Sequence, residues 1–350
     1  NPILVNADRG SSWRNIGGGR TAFSLPELAE IAAQNHHIFK ELQYLSNIDY
    51  KPIRYISFAH DEETYKTLEA SKAWSKAEMI APKQFREEIS PYFNANPKKY
   101  ISALVSEDCW QATPGKVVDL VRNLGIAAGG TVMEDCRVLE ACREGKYTSV
   151  LVQTHDKKYV EYRTEHFVNA LGSGAGKLCD SMGIDAGLYP VRHQAFITRR
   201  LPMLGKHGTN LDMLIDRQDY KGFSAVYGQQ IAYTGQIIGC ASPKLDAMRI
   251  DKNLKVNTKA FLEIVSEMFS EWIPDLAGVG IQAVWAGYYT EPRYIVDPEL
   301  GLFVGMRGHG FMLSQYIARM YVDKLLGRPV PEYFEKLKLN GPGLSEKAFK

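Results

Sequence analysis

The sequence predicts an α/β (α+β) fold of two interleaved domains, and three observations lead there. Strand, glycine cluster and helix follow one another at both ends of the chain, while the middle is rich in strands. The last third holds a strand-like Gly301-Leu302-Phe303-Val304 that breaks into Gly305-Met306-Arg307-Gly308-His309-Gly310-Phe311 before a closing helix. A turn of that kind presents backbone N–H groups and the positive end of a helix dipole to an electron-rich ring or an anion. A plain strand-to-helix connection is the alternative reading of the same residues. Alternation at both ends around a β-rich centre implies interleaving, not two domains in series.

Taken in order, Ile3-Leu4-Val5 reads as a short buried strand that enters a polar loop. The loop carries Ser11-Ser12-Trp13-Arg14-Asn15 and the triplet Gly17-Gly18-Gly19. Three glycines let the backbone approach a ligand or take positive φ. Ser24 and Glu27 have the spacing of a capping box, and Leu28, Ile31, Ala32, Ile38, Phe39, Leu42 and Leu45 then recur near helical spacing. A strand over 53–58 and a helix over about 61–74 follow. Thr113 with Pro114 reads as a cap and first helical position, and Val117, Val118, Leu120, Val121 and Leu124 continue a helix that Gly125 stops.

Strands dominate 131–164, with 148–154 and 159–163 paired as a hairpin. The run Phe167-Val168-Asn169-Ala170-Leu171 ends in Gly172-Ser173-Gly174-Ala175-Gly176, a second strand–glycine–helix unit. Residues 191–197, 212–215 and 225–231 read as strands of an antiparallel sheet. Thr258 caps a helix carrying Phe261, Leu262, Val265, Met268, Phe269 and Trp272. Leu313, Ile317, Met320, Tyr321 and Leu325 form the closing helix, which stops at Gly327 with Pro329 beyond.

At 350 residues, 45% apolar and 23% charged, the chain can bury one large or two medium cores. A net charge of +2 creates no field that gathers nucleic acid or anionic lipid. Cys109, Cys136, Cys142, Cys179 and Cys240 form no CxxC pair and no metal-spaced cluster, so reduced thiols in a cytoplasm are expected and no metal site is. No apolar run reaches membrane-spanning length, and the first residues lack the pattern of a secretory signal.

Four segments, in order along the chain, carry a family resemblance. Ser12-Trp13-Arg14-Asn15-Ile16-Gly17-Gly18 resembles an S-x-R-N-x-G-G loop, and Phe167-Val168-Asn169-Ala170-Leu171-Gly172 resembles a V-V-N-A-A-G strand. Pro190-Val191-Arg192-His193-Gln194 resembles P-V-R-G-Q, and Gly308-His309-Gly310-Phe311 is the G-H-G-F before the last helix. Together they resemble the D-amino-acid oxidase superfamily of FAD-dependent oxidoreductases, in its glycine oxidase, sarcosine oxidase and dye-linked proline dehydrogenase branch. The resemblance implies an FAD-binding Rossmann-like domain over 1–45, 112–190 and 295–340. A mixed, mainly antiparallel substrate domain would take 46–111 and 191–294. In that family the chain begins with a strand, a G-x-G-x-x-G loop and a helix, and an acidic residue ending the second strand takes the ribose hydroxyls. That first βα unit is absent from this chain, and Asn6 stands about where the acidic residue belongs. A lost N-terminal segment is the favoured account; a segment supplied by a partner, or a protein that no longer uses the flavin, are the others.

The resemblance further implies oxidation of a small amine or amino acid of the glycine, sarcosine or proline kind, by hydride transfer to N5 of a non-covalent FAD. Oxygen or a quinone-like acceptor would follow, in a homo- or hetero-oligomer. The implied cofactor-binding residues are Ser12, Arg14, Asn15, Gly17 and Gly18 in the early loop and Val138 beside the adenine. Ala170 and Gly172 would lie near the pyrophosphate, and the amides of Arg307, Gly308, His309, Gly310 and Phe311 at the ring. For Val138 and Ala170, core packing is the alternative. A substrate carboxylate calls for a two-pronged cation, and Arg293 is the candidate, with an exposed surface arginine as the alternative. Tyr288 or Tyr289 would close the pocket, or simply pack. His309 is a candidate base whose place in the glycine turn equally suggests backbone duty. The runner-up function is a non-catalytic or partner-completed subunit of a heteromeric flavin dehydrogenase, and a flavoprotein acting on a hydroxy acid is a distant third.

Overall fold

Apolar spacing and glycine placement divide the chain into the strands and helices of two cores. The computed structural model describes residues 10–346 apart from 95, 97, 206–209, 218–222, 232–233 and 244–257. The strand expected at 3–5 and the position of Asn6 lie outside the described residues. The strands are β1 (Gly18–Gly19), β2 (Lys51–Ala59), β3 (Ala77–Ile80), β4 (Ser102–Gln111), β5 (Arg137–Glu144), β6 (Tyr147–Gln153) and β7 (Tyr159–Thr164). Then come β8 (Tyr189–Thr198), β9 (Met213–Asp216), β10 (Phe223–Gln230), β11 (Ile237–Pro243), β12 (Ile281–Glu291), β13 (Ile295–Asp297) and β14 (Leu302–Val304). The helices are α1 (Ser11–Arg14), α2 (Pro26–Leu45), α3 (Glu62–Ala70), α4 (Phe85–Glu88), α5 (Pro114–Ala127), α6 (Ala175–Ser181), α7 (Thr258–Trp272) and α8 (Gly310–Leu325).

A nine-stranded sheet runs in the order β1-β4-β2-β9-β10-β11-β8-β12, with β3 added to β4. Its pairs are antiparallel except β2 with β9, which is parallel. The sheet is therefore mixed and mainly antiparallel, as the sequence implies. Its main core joins Ile56, Phe58, Val105, Phe196, Leu214 and Val226 to Phe261, Val265, Phe269 and Trp272 of α7. Every buried member of that core falls within 56–105 or 196–276.

The second core packs α2 against α8, with Phe39 edge-on to Phe311 at 5.1 Å and His36 stacked on Trp110 at 4.5 Å. Beside it lie the β13–β14 pair and the three-stranded sheet β5-β6-β7, the latter covered by Leu178 of α6.

Local expectations fail where tertiary contacts override them. The capping box at Ser24 and Glu27 does not form: Pro26 fixes the first helical position, Leu25 becomes the cap, and Glu27 bonds Lys336 at 2.5 Å. Both oxygens of the buried Glu346 carboxylate accept from the Ser24 amide instead. Gly125 does not stop α5, which continues to Ala127, and the Thr113 hydroxyl bonds Asp49 and not its own helix. The run 167–171 makes only an isolated parallel bridge, Asn169 to Leu302.

Candidate active site

The early loop reaches the sheet through three bonds to β12. Ser11 Oγ donates to the Tyr288 carbonyl at 2.7 Å, Arg14 Nη1 donates to the Ala286 carbonyl at 2.7 Å, and Trp285 Nε1 donates to the Arg14 carbonyl at 2.8 Å. The chain then turns at Gly17, whose amide donates to Asn15 Oδ1 at 2.8 Å and whose φ of +78° is one that L side chains rarely adopt. At Gly18 a β-carbon would lie 2.2 Å from the Tyr55 hydroxyl, so glycine here leaves room for the buried Tyr55 side chain that reaches it from β2.

The glycine turn after β14 supplies the opposite wall. The amides of Arg307, His309 and Met312 are committed to the carbonyls of Thr290, Met306 and His309. Among the described residues, those of Gly308, Gly310 and Phe311 make no backbone hydrogen bond outside their helix. They stand at the N-terminus of α8, where unsatisfied donors and the helix dipole favour negative charge. Two of the five amides expected to face a ligand, Arg307 and His309, are thus already spent.

Between the two walls lies a cavity of about 380 Å³. Of the residues singled out in the sequence, Arg14, Asn15, Gly17, Gly18, Tyr288, Tyr289, Arg307, Gly308, His309 and Phe311 line it. Ser12, Val138, Ala170, Gly172, Arg293 and Gly310 do not. Ser12 is exposed and offers its carbonyl to Asn15, while Val138 packs beside the Ala141, Val150, Val152 and Leu178 core. Ala170 and Gly172 lie exposed on the bridge to β14 and the turn that follows it. Arg293 is a correction: its guanidinium donates to the carbonyls of Gly341 and Leu339, so this cation ties down the C-terminal segment and does not face the cavity.

His309 is buried between the Arg20 guanidinium and the Tyr294 hydroxyl. Arg20 Nη2, which can only donate, lies 3.1 Å from Nε2, so Nε2 carries the lone pair and Nδ1 carries the proton toward the Tyr294 hydroxyl at 2.5 Å. Burial, then the positive charges of Arg20, Arg307 and Arg217, push its pKa well below the ordinary value. A neutral imidazole whose lone pair is occupied cannot take a substrate proton, which removes the base role and leaves a positioning one. His193, stacked on Tyr289 at 3.6 Å between centroids, is pushed down by burial to about 3.

Several lining residues carry no local sequence signal: Arg20, Tyr55, Tyr227, Cys240 and Glu291. Tyr227 and Tyr289 share a hydroxyl–hydroxyl bond of 2.8 Å, and burial pushes the Cys240 thiol up to about 12, so it stays protonated. Three guanidiniums (Arg14, Arg20, Arg307) face one carboxylate (Glu291) across otherwise neutral walls, a balance that favours an anionic occupant. Among the described residues no cluster of His, Cys, Asp and Glu is arranged to hold a metal, and no helix is long and apolar enough to cross a membrane.

Comparison with known proteins bears on what this cavity holds. The family described as DAO, FAD dependent oxidoreductase, matches residues 3–324. Among solved structures, L-proline dehydrogenase from P. horikoshii superposes with a TM-score of 0.77 at 22% identity, over 94% of this chain and 87% of that one. Glycine oxidase from Geobacillus kaustophilus follows with a TM-score of 0.75 at 17% identity, over 95% and 88%. Iminodiacetate oxidase from Chelativorans sp. BNC1 gives 0.73 at 13% identity, over 97% and 92%. At these identities the likeness is one of fold. No curated protein matches the chain.

Proposed function

The chain belongs to the DAO family of FAD-dependent oxidoreductases, and on that footing we propose that it oxidises a small amino acid or secondary amine of the glycine, sarcosine or proline kind. The observation that carries the reading is the cavity shared by the early loop and the α8 turn. Its volume, about 380 Å³, lies low in the usual range for small-molecule sites, which suits a small substrate beside a flat ring.

The residues present fit an isoalloxazine. Free amides at Gly308, Gly310 and Phe311 stand where negative charge would grow, and the Asn15–Gly18 backbone, held open by Gly17, offers a flat edge opposite. FAD, when bound, supplies the acceptor for the electron pair leaving the substrate's α-carbon. The chain's own part is to align that carbon and exclude water. Arg20 and Tyr294 fix the His309 ring and with it the turn, while Tyr288, Tyr289 and Tyr227 wall the substrate side. Ser12 and Arg14 would brace the loop, and Val138, Ala170 and Gly172 would serve the nucleotide end. No cysteine lies within 285–312, so the cofactor is assigned as non-covalent. The division into a cofactor domain (1–45, 112–190, 295–340) and a substrate domain (46–111, 191–294) is supported by the two cores, which part close to those boundaries.

Full-length protein should take up FAD, turn yellow, and be bleached without oxygen by proline, glycine or sarcosine. Failure to bind added FAD, or a flavin that none of these amines reduces, would overturn the proposal. A second result follows from the depressed histidines. Because His193 and His309 are already neutral above their lowered pKa values, neither titrates between about pH 6 and 9. The rise of kcat/KM with pH should therefore track the amine of the substrate, moving when substrates of different amine basicity are compared. A rise fixed near pH 6.5 for every substrate would assign the proton to an enzyme imidazole instead.

A further inference from the structure

We propose that Glu346, in the C-terminal segment, is a positioning residue of the site: its carboxylate keeps Arg20 seated on His309 and so fixes the turn that presents the amides of Gly308, Gly310 and Phe311. The inference goes beyond the substrate reading above and rests on the flavin reading only for one of its two readouts. Glu346 has no exposed surface, and Arg20 keeps 3% of its own. Both Glu346 oxygens accept from the Ser24 amide, at 3.2 and 3.0 Å, a few residues beyond Arg20. A carboxylate taken out of water is costly unless a cation answers it, and the same holds for a guanidinium. Burial pushes the Arg20 pKa down, and the charge of Glu346 leads the influences that oppose it. Burial and the charge of Arg20 push Arg217 down to about 9, and Glu346 again opposes. One acid thus serves two arginines whose charges both reach His309.

The geometry carries that effect to the cavity. Arg20 Nη1 donates to the Ala22 carbonyl at 2.5 Å, and its Nη2 donates to His309 Nε2 at 3.1 Å. The guanidinium lies 3.9 Å above the Phe23 ring, which meets the His309 ring edge-on at 5.4 Å. Residues 20–24 therefore bridge the carboxylate and the imidazole, and His309 is the residue that caps α8. The segment that delivers Glu346 is itself fastened. Arg293 donates to the Leu339 and Gly341 carbonyls, the Gly343 amide donates to the Lys336 carbonyl at 3.0 Å, and Leu337 and Leu344 are buried in the α2–α8 core. Those ties hold the carboxylate at one place behind the turn.

The test reads His309 directly, by NMR of isotope-labelled histidine nitrogens in cofactor-free full-length protein, beside calorimetry of FAD binding. The wild-type ring should show a protonated Nδ1 and a bare Nε2 that accepts a hydrogen bond. Glu346→Gln keeps an acceptor for the Ser24 amide and removes only the charge. It should shift the His309 Nε2 resonance, leave the other histidines in place, and weaken FAD binding about tenfold. Glu346→Asp, which keeps the charge, should recover part of both. Because Glu346→Gln leaves guanidinium charge buried and unanswered, it is also made together with Arg217→Met, which restores the charge balance, and compared with Arg217→Met alone. A displaced Nε2 and weaker FAD binding in that double variant, relative to its control, support the role. An Nε2 resonance equal to the control overturns it whatever the affinity, because Glu346 then serves charge balance and packing only. A displaced Nε2 with unchanged FAD affinity overturns it too, since the turn would not depend on the ring. If the wild type takes up no FAD, the flavin reading fails, and the histidine spectra alone decide whether Glu346 holds Arg20 on His309.

Discussion

Gly308→Ala is expected to lower FAD-dependent turnover about a hundredfold, the loss typical of misplacing one charge-stabilising donor. The reason is steric and local. A β-carbon at Gly308 would lie 2.4 Å from Tyr289 Cε2, 2.8 Å from Cζ and 3.0 Å from Cδ2, well inside contact distance. The Tyr289 ring cannot easily retreat, because it stacks on His193 on one side and its hydroxyl is tied to Tyr227 at 2.8 Å. The turn must move instead, and the amides of Gly308, Gly310 and Phe311 move with it. Overpacking of this kind costs roughly 1–3 kcal/mol in stability, too little to unfold a chain of this size, so the lesion should show chiefly in cofactor content and kcat. The check is FAD affinity and turnover in the variant, then in Gly308→Ala with Tyr289→Ala, where removing the ring should restore flavin uptake. Wild-type FAD affinity and turnover in the single variant would mean that the turn does not face the cofactor.

What the sequence makes legible is what glycine and short-range periodicity encode. Gly17, Gly18 and the turn at 305–310 stand out because only glycine tolerates their conformations or contacts, and both segments do wall one cavity. The helices α2, α5, α7 and α8 follow from apolar spacing, which local chemistry controls. Residues brought in by sheet pairing are invisible in that reading. Tyr55 faces the cavity because β2 pairs with β9 in the register Tyr55 to Met213, and Tyr227 because β10 continues the same sheet; nothing within a few residues of either announces it. Arg293 shows the converse error. Its sequence neighbourhood places it beside the Trp285 strand, yet carbonyls at 339 and 341 capture it, and an acceptor from so far along the chain leaves no local mark. Glu27 is lost to Lys336 in the same way.

His60→Leu is expected to cost about 3 kcal/mol of stability near neutral pH, the low end for breaking a buried ion pair, because the imidazole keeps 12% of its side-chain surface in water. His60 Nδ1 faces the Lys99 carbonyl at 2.9 Å and Nε2 faces Asp216 Oδ1 at 2.6 Å. Both partners only accept, so both ring nitrogens donate and the ring is an imidazolium. Burial alone would lower its pKa, but the hydrogen bond and charge of Asp216 outweigh that and raise it above the ordinary value. The other Asp216 oxygen accepts from the Tyr100 hydroxyl at 3.1 Å, which in turn accepts from Trp272 Nε1 at 3.2 Å, so the pair joins β2 and β9 to the end of α7. With the folded pKa raised, the charge-dependent stability is fully present below the unfolded pKa of about 6.5 and is lost as pH rises through the folded value. Urea unfolding at a series of pH values from 5.5 to about 9 should therefore show wild-type stability declining across that window, with a flatter curve for His60→Leu and for Asp216→Asn. The gap between wild type and His60→Leu should narrow toward the alkaline end without closing, since the neutral ring still donates one hydrogen bond while leucine removes the imidazole donor from the Asp216 carboxylate. Parallel curves for all three proteins would show that His60 is not charged in the folded chain.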